Sequence, residues 1–240
     1  MPTPLPDPLP DPTTVALLPE ATQRLVRSVD RLQDADWTAP SGLPDWTRAH
    51  VVAHLALNAE GLTGALTGLV AGHAVPMYAT AERRDEDIAG LAAARHGELR
   101  DRLLASVTAL GDALAAVPDG AWGTRLERTP GSDRTFLAAE VPDMRLREVE
   151  VHHVDLATTY RTADWDEAFA ARLVDAMVRR GGWSSGFVVQ ATDLGRSWTV
   201  AEGGPTVSGP VADLGWWLTG RGDGAGLTSE SGALPRTGAW

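Results

Sequence analysis

The chain has 240 residues, 43% of them hydrophobic, with a formal net charge of -11. This length allows one large domain or two modest ones, the hydrophobic share is that of an ordinary globular protein, and the acidic balance argues against nucleic acid as a main partner. Cysteine is absent altogether, which removes disulfides, thiolate metal ligands and any sulfur nucleophile of the protein's own, so thiol chemistry would need a small-molecule thiol.

No apolar run is long enough to cross a membrane, and the N-terminus lacks a basic segment followed by an apolar core. A cytoplasmic protein, monomeric, is the expectation.

Residues 1–13 alternate proline with small, polar and acidic residues and read as a disordered tail. From Val15 to about Asp34, Leu17, Leu18, Ala21, Leu25, Val29 and Leu32 recur at helical spacing. A loop with Pro40, Gly42 and Pro44 follows. A second helix is expected from an N-cap at Asp45 to about Val70. His50, Val51, His54, Leu57, Asn58 and Leu62 share one side of it, and Ala53, Ala56, Glu60 and Thr63 the other, which turns His54 toward the core. Residues 80–117 read as one long helix, or two with a break near Gly90 or Gly97. Residues 118–135 read as a loop. The next helix starts around Pro142 and ends near Thr159. Beyond it an amphipathic helix covers Asp166 to Arg180, short β-like runs cover 187–191, 198–201 and 206–208, and a last helix covers 211–219 before a Gly-rich tail. The expected fold class is α+β: a tail over 1–13, a four-helix bundle over 14–160, and a small α/β domain over 161–240.

The chemistry-bearing run is Glu148-Val-Glu-Val-His-His-Val-Asp155. Glu148 and His152, four residues apart, stand on one helix face, with Asp155 three further on. A carboxylate and an imidazole so placed can grip a metal ion, and a facing helix can add His54. Two nitrogens and one oxygen would leave a zinc coordination position open, the mark of a catalytic site; iron, nickel or cobalt would also fit. Asp155 is a fourth ligand or the acceptor that orients an imidazole, and Asn58, one turn after His54, can play a supporting part. The alternatives are an ordinary helical Glu148–His152 pair with a core histidine at 54, or a ligand set built on His50 and His54. His153 reads as packing or as a partner for Glu150, and His73 and His96 as surface residues.

Several segments resemble, in order, the mycothiol-dependent maleylpyruvate isomerase family. They are Asp45-Trp-Thr-Arg-Ala-His-Val-Val-Ala-His54 through Leu62, Pro76-Met-Tyr78 with Arg84-Asp-Glu-Asp-Ile88, Arg147 through Leu156, and Gly209 through Arg221. The resemblance implies a DinB-like metal-binding bundle, metal ligands at His54, Glu148 and His152, a divalent metal such as zinc, and mycothiol, a small thiol of actinobacteria. It also implies a reaction: the metal-activated thiolate adds to the cis double bond of maleylpyruvate, the bond rotates, and loss of the thiol leaves the trans product. Arg221 and then Arg84 are the candidates for holding the substrate's carboxylates, because a guanidinium forks onto a carboxylate. Trp46, Met77 and Tyr78 are expected to line the thiol pocket. Relatives that transfer the thiol make a mycothiol S-transferase the alternative; a thiol-independent hydrolase and a non-enzymatic binding module are further ones.

Overall fold

The computed structural model describes residues 8–238, which divide between Thr159 and Tyr160 into two compact units. Helix α1 (Pro12–Asp30) opens earlier than its periodicity suggests. Asp11 Oδ1 accepts from the backbone N–H groups of Thr13 and Thr14 at 3.0 and 3.2 Å, and a proline in the first turn has no N–H to leave unpaired. Part of the Pro-rich stretch is therefore helical; its residues 1–7 lie outside the described residues. A single turn, α2 (Asp34–Trp37), buries Trp37.

Helix α3 (Arg48–Val70) starts two residues later than expected. Asp45 is not its cap: it sits in the connector at φ 63°, and Thr47 caps the helix instead. The Thr47 backbone N–H points back at His50 Nδ1, 3.3 Å away, in the manner of a capping box. Both sides of α3 are buried, Ala53 and Ala56 as fully as Leu55 and Leu62. A helix apolar all round is one enclosed by neighbours, and α3 packs on α4, α5 and α6.

The stretch 80–117 forms two helices, α4 (Ala81–Ala92) and α5 (His96–Ala116), broken between Gly90 and Gly97 rather than at either. The expected loop 118–135 contains a hairpin strand: β1 (Arg125–Glu127) pairs antiparallel with β2 (Thr135–Leu137), Leu126 opposite Phe136. Helix α6 (Val141–Asp155) follows, and it stops at Asp155, with Ala157 at φ 51°. Helices α1, α3, α5 and α6 pack as a closed square, α3 on α5 and α6, α1 on α5 and α6. Leu62, Leu66, Leu110, Trp122, Phe136 and Val141 share the core at its lower end.

The second unit begins at Tyr160. Helix α7 (Glu167–Arg179) is capped by Asp166, whose Oδ1 accepts from Ala168 N–H, and is ended by Gly181 and Gly182 at positive φ. Strands β3 (Phe187–Ala191), β4 (Arg196–Val200) and β5 (Thr206–Gly209) lead into α8 (Val211–Leu218). The Gly-rich tail adds a short strand, β6 (Thr228–Ser229), to β5. The sheet order is β4-β3-β5-β6, parallel between β3 and β5 and antiparallel elsewhere. Val189, Trp198 and Val207 lie in register on its buried face, and α7 and α8 cover it. The fold is α+β.

Candidate metal centre

Helix α3 supplies His54 and α6 supplies Glu148 and His152, and the packing of these helices brings the three side chains together. Glu148 Oε2 lies 2.8 Å from His54 Nε2 and 3.2 Å from His152 Nε2. The imidazoles meet edge to face with centroids 4.6 Å apart. One donor atom from each residue falls within 4.8 Å of the others. Both histidines are more than nine-tenths buried, and the carboxylate is the most accessible member of the cluster.

The polar neighbours set the protonation states. Burial holds the His54 ring down at about 4, against the pull of Glu148, so it is neutral at physiological pH. Burial acts on His152 in the same direction, but hydrogen bonds to Asp155 and Glu148 outweigh it and raise its pKa. Burial would push Glu148 up, yet the two imidazoles hold its carboxyl well below the usual carboxylate range. Asp155, fully buried at the end of α6, has its Oδ2 2.8 Å from His152 Nδ1, the nitrogen facing away from Glu148. It stands outside the three-residue cluster, as the acceptor that orients an imidazole.

The remaining expected residues fall at different distances from this centre. Trp46 covers His54 edge-on at 5.7 Å. Arg84 Nη2 is 3.2 Å from His54 Nδ1, and its guanidinium lies 5.7 Å from the Tyr78 ring centre. Burial and the Glu148 charge push the Tyr78 phenol up, so it stays protonated. Met77 is a core residue packed among the leucines of α3 as well as a groove residue beside Tyr78. Asn58 is buried and accepts from Arg145. Arg221 belongs to the second unit, where its guanidinium lies over the Trp216 ring at 5.7 Å. His50 is turned toward Thr47, 2.8 Å from its hydroxyl, and the His50/His54 ligand set is not assembled. His153 Nε2 meets Ser28 Oγ at 2.8 Å, while Glu150 accepts from Arg24. His96, expected at the surface without a setting, stacks on Trp37.

Arg145 is a site neighbour that sequence reasoning missed. It is 1% exposed, and its Nη1 donates to Leu55 O at 2.9 Å and to Asn58 Oδ1 at 2.8 Å. Burial lowers its pKa to about 10, and the Glu148 charge acts on it in the opposite direction. The signal was present: Arg145 stands three residues before Glu148, on the same helix face.

Two imidazole nitrogens and one carboxylate oxygen converging in a buried pocket fit a divalent metal of the zinc type with a coordination position left open. Among the described residues no helix is long and apolar enough to cross a membrane.

Known proteins resemble this chain over most of its length. Residues 18–157 match the family described as mycothiol maleylpyruvate isomerase N-terminal domain. A crystal structure of the mycothiol-dependent maleylpyruvate isomerase superposes with a TM-score of 0.86 at 29% sequence identity, covering 95% of this chain and 96% of that one. A histidine-to-alanine mutant of that enzyme gives 0.86 at 28% identity with the same coverage. No curated protein matches the sequence. With more than half of its length matched, the chain belongs to the mycothiol maleylpyruvate isomerase N-terminal domain family.

Proposed function

We propose that the protein is a metal- and mycothiol-dependent isomerase of maleylpyruvate or a similar activated cis-enoic acid, working by thiol addition, rotation about the resulting single bond, and elimination. The observation that carries this reading is the convergence of His54, Glu148 and His152 in a chain without a single cysteine. A metal of the zinc type, when bound there, supplies the acidity that keeps an incoming thiol deprotonated at neutral pH.

The protein's own residues do the rest. Asp155 keeps a proton on His152 Nδ1 and so leaves Nε2 for the ligand position. Trp46 covers His54 on one side, Met77 and Tyr78 line the thiol pocket, and Asn58, held by Arg145 one turn after His54, supports it from behind. Arg84, beside His54, is placed to take a substrate carboxylate, and the protonated Tyr78 can donate to the oxygen on which negative charge develops. Arg221 is retained as the second carboxylate-binding candidate on its sequence motif alone.

Elemental analysis of the purified protein, followed by a maleylpyruvate assay with and without mycothiol, tests the reading. The expected result is about one divalent metal per chain and substrate loss that requires mycothiol without consuming it. Consumption of thiol in proportion to product would make the enzyme an S-transferase, and turnover without thiol would make it a hydrolase.

A further inference from the structure

We propose that the seam between α1 and α5 is a second binding site, for a small apolar monocarboxylate of the medium-chain fatty acid type. The cavity there encloses about 470 Å³, within the range of roughly 300–1,000 Å³ of small-molecule sites. It follows α1 from Val15 to Thr22 and α5 from Val107 to Ala115, about two turns of each helix, or roughly 11 Å. Val15 is exposed at its mouth, and Leu110, Trp122 and Pro142 are buried beneath. A slot of this length and lining suits an extended hydrocarbon chain, whose burial supplies the drive to bind. Among the described residues no carboxylate lines it, and its polar side chains are Thr22, the Trp122 indole and Arg145.

Arg145 specifies the polar end of the ligand. It is 1% exposed, and its Nη1 is occupied inside the bundle by Leu55 O and Asn58 Oδ1, both neutral oxygens. Its Nη2 is buried and has no hydrogen-bond partner among the described residues. Glu148 meets the guanidinium charge only through space.

A buried donor left open is costly and uncommon, and it calls for a partner. A carboxylate is the group that answers a guanidinium best, through a short charge-assisted bond. A neutral chain would leave Nη2 unpaired, and an apolar cation would be repelled.

Gly111 provides the test. It lines the cavity from within α5, and a side chain added there meets nothing within 4 Å. Leucine is a better helix former than glycine, so Gly111→Leu should fill the slot while keeping the fold. The probes are decanoate and decanol, each titrated below its aggregation threshold, by calorimetry, into metal-loaded full-length protein.

Wild type should bind decanoate about tenfold or more tightly than decanol. Gly111→Leu should lose decanoate binding with its thermal midpoint and bound metal undiminished. Arg145→Met should bind the two probes alike; should that variant fail to fold, Gly111→Leu and the decanol comparison decide by themselves. No binding by wild type, equal affinity of wild type for the two probes, or a preference for decanoate that persists in Arg145→Met would overturn the assignment. So would decanoate binding that survives Gly111→Leu, the result expected if the metal centre captured the carboxylate instead.

Discussion

Arg84 places Nη2 3.2 Å from Nδ1 of His54, and an arginine can only donate there. Nδ1 is therefore the acceptor, and the single proton of this neutral ring sits on Nε2, donated to Glu148. Metal coordination through Nε2 requires the opposite tautomer, with a proton on Nδ1 facing a second donor. His152 has the reverse arrangement: Asp155 already holds its proton on Nδ1. One imidazole is preset for a metal and the other is held away from that state by Arg84.

Loading the metal should accordingly turn Arg84 away from His54 and free its guanidinium for substrate. Arg84→Ala removes a positive charge and an opposing donor next to a ligand, and should tighten metal binding by about tenfold. Activity should fall in the same variant. Competition against a chelator measures the first effect, and weaker metal binding in Arg84→Ala would contradict it.

Asp155→Asn preserves shape but weakens the hold on His152. Metal affinity should drop by about 10- to 100-fold, the usual effect of changing a residue that orients a ligand. Ligand losses, His54→Ala or His152→Ala, should abolish stoichiometric metal while the circular dichroism of the bundle persists.

The histidines should titrate in opposite directions in metal-free protein. His54 should stay neutral until pH falls to about 4, and His152 should keep its proton above its ordinary 6.5. For His54 the folded pKa lies below the unfolded one, so its contribution destabilises progressively as pH falls from 6.5 toward 4, by about 3 kcal/mol at most. For His152 the sign is reversed: its stabilising contribution is complete below 6.5 and disappears as pH rises through its folded value. Metal binding must strip the Nε2 proton from His152, so calorimetry in buffers of different ionisation enthalpy should detect proton release near neutral pH. Resolved histidine NMR signals with identical midpoints would refute the assignment.

Arg145→Met should destabilise the bundle by about 3 kcal/mol, because Asn58 Oδ1 is left buried without its charged donor, while Leu55 O, inside α3, keeps its helical one. Adding Asn58→Leu removes the orphaned group and should recover part of the loss. Urea unfolding of the single and double variants checks both.

Much of this was readable from local chemistry. Helical spacing marked the bundle helices, and the Glu148–His152 pair is fixed by helix geometry alone, since residues four apart always share a face. The lack of cysteine settled that any thiol is borrowed. What only the tertiary structure decided depends on partners distant in sequence. Asp45 reads as the cap of α3 from its side chain, but its φ of 63° and the contact of Thr47 N–H with His50 put the cap at Thr47. Both sides of α3 proved buried because three other helices surround it, which no single-helix pattern reveals. His54 joins Glu148 across 94 positions, and Arg84 joins His54 across 30, only because α3, α4 and α6 pack together. Periodicity along a chain is a property of its own backbone; convergence of side chains from separate helices is a property of how those helices pack, and the site's chemistry resides in that convergence.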